Sequence, residues 1–268
     1  MAPGADHRTL LRQLDRLMVR LARRQRSPFV ILKEFSPQEV VRTDALLELG
    51  YLRADSPPMN YFPTRYRDFN HFCASIRSRY RHQILRSRKI FQRAGLRVEH
   101  LRGNEGFDKL YTEDVHRLYL AVLSHAEITF ECLPPLFFRE LARNFAEDAA
   151  FTVIFQGESI VAFVCGVFNQ GNYLNLFCGF DYNLNEELNL YFNLMYEDLD
   201  YALRQNVRSI HIGQTANEFK SRMGCYLEPR YFYVKARDPV LQYLVRAGSV
   251  FLFPSAPPII KRNLFREE

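Results

Sequence analysis

At 268 residues, with 47% hydrophobic and 25% charged side chains, the chain can bury one large core or two modest ones and is too apolar to remain disordered. Its five cysteines, Cys73, Cys132, Cys165, Cys178 and Cys225, lack CxxC spacing, which argues against both a zinc site and a disulfide framework and suits a reducing cytoplasm. The formal charge of +6 is uneven, because residues 65–97 hold nine arginines and one lysine against the single acid Asp68, so an anionic partner is expected on that stretch.

Leu10, Leu14, Leu17 and Leu21, with Leu11 and Met18, form an apolar stripe at helical spacing near residues 9–24. Arg8, Arg12, Arg16, Arg20 and Arg24 follow each other at four-residue intervals on the other side. Like charges at that spacing repel by about 0.2–0.5 kcal/mol per pair. The arginine face therefore gains from a membrane surface, RNA or an acidic patch, although a packed helix with solvated arginines reads the same way. Ser27-Pro28 ends this helix and residues 29–35 read as a strand. Ser36-Pro37-Gln38-Glu39 opens a helix that stops at Gly50, and residues 51–62, interrupted by Pro57-Pro58, suit a bent or edge strand. A free edge there permits a homodimer.

Helical segments are expected at residues 69–76 and 78–94, the second being the densest charge in the chain. A strand at 96–101, a helix from Thr112 to about Ser124, an irregular stretch at 125–135 and a helix at 135–144 follow. Residues 151–155, 159–168 and 172–180 read as a three-stranded meander with short turns. One helix is expected from Asn183 to about Gln205, then a strand at 208–212, a helix after the Gly213 turn, a strand at 231–236, a short helix at 239–247 and a proline-rich tail at 254–258. No apolar run reaches the roughly 18 residues of a membrane span, and no secretory leader is expected.

This order predicts a mixed α+β fold around a mainly antiparallel sheet. The division expected is a basic helix (1–27), a small strand-helix-strand unit (28–64), a main domain (65–238) and a C-terminal helix with its tail (239–268). Within it, residues 208–225 (RSIHIGQTANEFKSRMGC) join a strand, a glycine turn and a helix. Ile210 and Ile212 share one strand face and His211 lies on the other.

The phrases RSRYRHQILRSR (77–88), LYFNLMYEDLDY (190–201) and above all IHIGQTANEFKSRMG (210–224) resemble the GNAT-superfamily acyltransferases, and within them the FemAB-like or BioF2-like branch. The resemblance covers about two-thirds of the chain. It implies a GNAT-like twisted sheet flanked by helices, with a cleft where strands 172–180 and 208–212 splay apart. It also implies an N-acyltransferase that takes acyl-CoA as co-substrate and no metal. In that fold the pyrophosphate of the donor sits at the N-terminus of the helix after the first splayed strand, which points to Phe180, Asn183 and Asn185. The usual glycine-rich turn is missing there. Fem-type relatives instead use aminoacyl-tRNA, which the arginine-rich stretch would suit, but the same arginines, with Arg81 and Arg88 inside the matching phrase, would equally suit the 3′-phosphate of CoA or an anionic lipid or sugar-phosphate acceptor. The acceptor implied is an amine on a small molecule or a peptidoglycan-like compound. A GNAT-like module that binds a phosphorylated ligand or RNA without turnover is the alternative of a different class.

Direct N-acyl transfer needs an attacking amine, a stabiliser of the developing oxyanion and a route for the proton. His211 is a candidate base or a structural histidine. Gln214 and Thr215 follow the glycine turn and can present polar groups to substrate or simply cap it. Lys220 matches the lysine of the F-K-x-x-x-G phrase of Fem-type relatives, its alternative being a solvated helix lysine. Glu218 is a base or the surface partner of Arg222. His125 and Glu131, in the irregular stretch, are candidates for positioning the acceptor. No base accompanies Cys178 or Cys225, so a thiol nucleophile is not expected.

Overall fold

The computed structural model describes residues 6–126, 131–214, 217–253 and 264–265. Its strands are β1 (Phe29–Phe35), β2 (Leu52–Phe62), β3 (Arg97–Arg102), β4 (Ala149–Gln156), β5 (Ser159–Asn169), β6 (Asn172–Phe180), β7 (Ser209–His211) and β8 (Tyr226–Ala236). The chain divides into a larger unit, Asn60–Tyr226 with Lys261–Glu268, and a smaller one, Met1–Met59 with Leu227–Ile260. This differs from the four-part division expected from sequence. β8 and the Pro239–Ala247 helix belong with the N-terminal segments because Phe29–Leu32 of β1 pair antiparallel with Tyr233–Ala236, a partnership some 200 residues apart that no local pattern announces.

In the larger unit the strands lie in the order β2 (its last residues), β7, β6, β5, β4, β3. The β3–β6 neighbours are antiparallel, as a meander requires, and β6 and β7 alone run parallel. A parallel pair needs a crossover, and the Tyr182–Leu188 and Leu190–Arg204 helices supply it. β4 reads as a continuous apolar run because both faces are covered. Ala150 and Ile154 join a core with Phe72, Ile84, Leu194 and Ile210, while Phe151, Val153 and Phe155 join one with Phe107, Tyr119 and Phe138. Gly179 permits the close seat of the Glu113–Ser124 helix on β6, since a Cβ there would lie 2.6 Å from the Tyr119 amide nitrogen. Leu264 is buried, its carbonyl accepting from the Arg77 amide.

The crossover was expected as one helix, but it breaks at Asn189, which adopts φ 51° and ψ 45°. Three asparagines spaced by four residues resolve the break. Asn185 Oδ1 accepts from the Tyr191 amide at 2.8 Å, and Asn193 Nδ2 donates to the carbonyls of Leu188 and Asn189 and to Ser87 Oγ. Asparagine tolerates the left-handed region better than other non-glycine residues, which is why the chain turns there.

In the smaller unit the His7–Arg24 helix packs through Leu11 and Ala22, with Met18 and Val19, against Val30, Leu46, Tyr51 and Tyr233. The expected packing stripe is thus corrected: Leu10, Leu14, Leu17 and Leu21 face outward. Two apolar rows lie about 100° apart on this helix, and the inner one is chosen because Asp15 on the same side pairs with Lys235 at 2.8 Å. No described helix is long and apolar enough to cross a membrane.

Candidate active site at the strand splay

β6 and β7 are paired only at Asn172–Ser209, Tyr173–Ile210 and Leu174–His211. Beyond His211 the chain turns to the other neighbour, where the Ile212 amide donates to the Asn60 carbonyl and the Asn60 amide to Gly213. β6 continues from Asn175 to Phe180 with no strand paired to it on that side among the described residues, so the two strands part there. A register shift opposite Cys165 and Gly166 leaves Leu176 as the extra residue, a bulge at the lip of this opening.

Lys220, on the Asn217–Arg222 helix, is 3% exposed and has no ion-pair partner among the described residues. Its ammonium sits by the Gly213 turn, 3.5 Å from where a Cβ would stand, and Gly213 holds φ 79°, the left-handed conformation that glycine adopts without strain. Burial pushes the Lys220 pKa down to about 8, with Cys225 and Cys178 close enough to oppose the shift. The solvated-lysine alternative is therefore overturned. Burial also raises Cys178 to about 11 and Cys225 to about 12, so both remain protonated thiols at neutral pH.

His211 ends β7 on the face away from buried Ile210, its ring 4.3 Å from that of Tyr61, which stacks on Tyr226. Ser209 Oγ donates to Asn172 Oδ1 at 2.8 Å and lies 2.9 Å from His211 Nε2. Gln214 follows Gly213 directly. Thr215 lies outside the described residues, as does the side chain of Glu218.

Behind the splay lies a group that sequence reasoning missed. Asp198 is fully buried and accepts from Tyr173 (2.6 Å), Thr152 (3.0 Å) and Asn175 (2.9 Å), and burial raises its pKa to about 6. Asn175 is the first β6 residue past the β7 ladder, so the carboxylate fixes the strand where the two strands part. Nothing in LYFNLMYEDLDY distinguishes Asp198 from Glu197 or Asp200 except its place on the apolar face with Leu194 and Leu199.

The expected donor positions, Phe180, Asn183 and Asn185, make the following contacts within the protein. Phe180 is buried against Tyr182 and Tyr191. Asn185 bridges the helix break, and the amides of Asn183 and Leu184 donate to Asp181 Oδ1 at 2.8 and 3.3 Å. The N–H groups that would receive a pyrophosphate thus already hold a carboxylate. Arg88 is likewise engaged, with Asn70 at 2.9 Å and Glu197 at 3.3 Å, while Arg81 is half-buried. The outward charges of the Ser78–Arg93 helix are Arg79, Arg86, Lys89 and Arg93 with His82, spaced three and four apart on one face. His125 stacks on Tyr182, ring centroids 4.0 Å apart, beyond the open end of β6, and Glu131 is exposed. A cavity of about 200 Å³ adjoins the lysine-bearing helix, lined by Tyr80, Gln83, Ser87, Asn189, Phe219 and Arg222 among others. No cluster of metal-ligating side chains occurs among the described residues.

No curated protein matches the sequence. Solved structures similar to this chain include the C-terminal (DUF2156) domain of a candidate lysylphosphatidylglycerol synthetase from Agrobacterium fabrum, 14% identical, with a TM-score of 0.60 and covering 91% of this chain and 78% of that one. FemX is 11% identical, TM-score 0.60, covering 90% and 79%. A tandem GNAT protein from the clavulanic acid biosynthesis pathway is 15% identical, TM-score 0.51, covering 88% and 73%. These likenesses show a GNAT-like fold. The FemAB-like family model, described as peptidoglycan biosynthesis/recognition, matches residues 2–247. Fold and family together are those of acyl- and aminoacyltransferases, and the chain belongs to the FemAB-like family.

Proposed function

We propose that the protein transfers an aminoacyl group from aminoacyl-tRNA to an amine on a peptidoglycan-like acceptor. The observation that carries this reading is Lys220, a buried ammonium without a carboxylate partner among the described residues, set by the Gly213 turn where β6 and β7 part. A positive charge kept out of water costs stability unless it meets a negative one, and the oxyanion of an acyl-transfer intermediate supplies it. The acceptor amine attacks the ester carbonyl, the carbon–nitrogen bond forms, and the carbonyl oxygen takes the charge that Lys220 neutralises. Collapse breaks the bond to the ribose oxygen. The amine proton passes to that oxygen by way of the His211 imidazole, leaving an amide and a free tRNA hydroxyl.

The choice of tRNA over acyl-CoA rests on two features of the larger unit. Asp181 fills the helix N-terminus where a pyrophosphate would bind, and a second negative group there would be repelled. The outward cations of the Ser78–Arg93 helix offer a row for a phosphate backbone, about 21 Å from Arg79 to Arg93 at 1.5 Å per residue. The 200 Å³ cavity is smaller than the roughly 300 Å³ typical of sites for drug-sized ligands, so it suits one part of a donor, such as a base or an amino-acid side chain.

The test supplies the purified protein with a lysine-bearing muropeptide and, in parallel, isotope-labelled aminoacyl-tRNA or a panel of acyl-CoA esters. Mass spectrometry is expected to find the label on the muropeptide amine with the tRNA donor only. Product from an acyl-CoA at an equal or greater rate would overturn the donor assignment and return the protein to the acyl-CoA N-acyltransferases.

A further inference from the structure

The His7–Arg24 helix carries a face that the described fold leaves uncovered. Leu10, Leu14, Leu17 and Leu21 are 39, 37, 50 and 41% exposed and recur at intervals of four, three and four, one stripe about 16 Å long at 1.5 Å per residue. Arg16, Arg20 and Arg24 border that stripe in solvent, with Arg12 and Arg23 further round, and none of the five forms an ion pair with a described residue. The helix contains a single acid, Asp15, and it is turned inward onto Lys235. The outer half of the helix therefore carries the leucines and arginines, with Thr9 and Gln13, and no negative charge.

Leucines in water and arginines four apart are both unfavourable, and one kind of surface relieves both. It must be apolar inside and anionic at its boundary. A nucleic acid would pair the arginines and leave the leucines wet. A second copy would cover the leucines but offer the arginines no acid, because the only one on the helix, Asp15, is turned to Lys235. We propose that this helix lies along the surface of an anionic phospholipid bilayer, the leucines at the depth of the first acyl carbons and the arginines among the phosphates.

The full chain contains no tryptophan, so Leu17→Trp supplies a single fluorescent reporter. Vesicles of phosphatidylcholine with phosphatidylglycerol are expected to shift its emission to the blue and to sediment the protein, and phosphatidylcholine alone to do neither. Arg16→Gln with Arg20→Gln is expected to weaken partitioning about 25-fold at low salt, and Leu14→Gln with Leu17→Gln at least about tenfold. Both pairs are solvent-exposed, so an unchanged melting temperature shows that the fold is intact. The proposal is overturned if phosphatidylglycerol adds nothing to binding or if the leucine pair binds like the natural chain. It is overturned equally if light scattering finds a dimer that the leucine pair converts to monomer.

Discussion

Replacing Lys220 by methionine is expected to stabilise the fold. One pKa unit corresponds to about 1.4 kcal/mol, so the fall from 10.5 to about 8 means that the buried charge costs on the order of 3 kcal/mol at pH 7. Urea unfolding of Lys220→Met should show a gain of up to about that size. The sign with pH follows from which state keeps the proton. The unfolded chain holds it to about 10.5 and the folded chain releases it near 8, so the advantage of the variant is constant below about pH 8 and shrinks to nothing by about 10.5. A variant less stable than the natural chain at pH 7 would contradict the placement of Lys220. The residue itself was legible in the F-K-x-x-x-G phrase, but its burial was not, since Phe219 and Met223 marked an apolar face without showing what lay over Lys220. Asp198 was illegible for a related reason: its three donors come from β4 and β6, 23 to 46 residues away.

Among the elements, the broken crossover is the one that sequence periodicity misread. Asn185, Asn189 and Asn193 recur at the spacing of a helix face, and only the backbone at Asn189 shows that they bridge two helices. Asn193→Ala leaves the Leu188 and Asn189 carbonyls and the Ser87 hydroxyl without that donor in a buried site, at a cost of about 2 kcal/mol. Thermal unfolding should move down by about 4–8 °C. An unchanged midpoint would mean that the break is held by other contacts. The meander and the strand-turn-helix at Gly213 were legible because turn residues and alternation act locally. The His7–Arg24 helix was legible as a helix but not in its orientation, because two apolar rows compete and only the smaller unit's core decides between them.

For the molecule as a whole, charge was the most legible property and its detail the least. The excess at residues 65–97 was plain in the sequence, whereas the division of labour within it was not. Arg88 is spent on Glu197 and Asn70, and the outward row belongs to Arg79, Arg86, Lys89 and Arg93. Neutralising Arg79, Arg86 and Arg93 with glutamine should lower the salt dependence of tRNA binding by about one unit of slope per lost phosphate contact. A slope unchanged by the triple variant would remove this helix from the donor's path. The grouping of β8 with the N-terminal segments was equally hidden, because strand pairing across the chain leaves no mark on either strand alone.

The central claim is that the Lys220 ammonium in the splay stabilises the transfer step, and single-turnover transfer from aminoacyl-tRNA tests it most directly. With donor and acceptor bound in excess, Lys220→Met is expected to slow the chemical step by about 100-fold or more while changing donor affinity little. In the natural enzyme, loss of the Lys220 proton near pH 8 is expected to flatten the rise in rate that deprotonation of the acceptor amine brings, a break that Lys220→Met lacks. Transfer by Lys220→Met at the natural rate, or a natural rate that climbs as steeply above pH 8 as below it, would contradict the account.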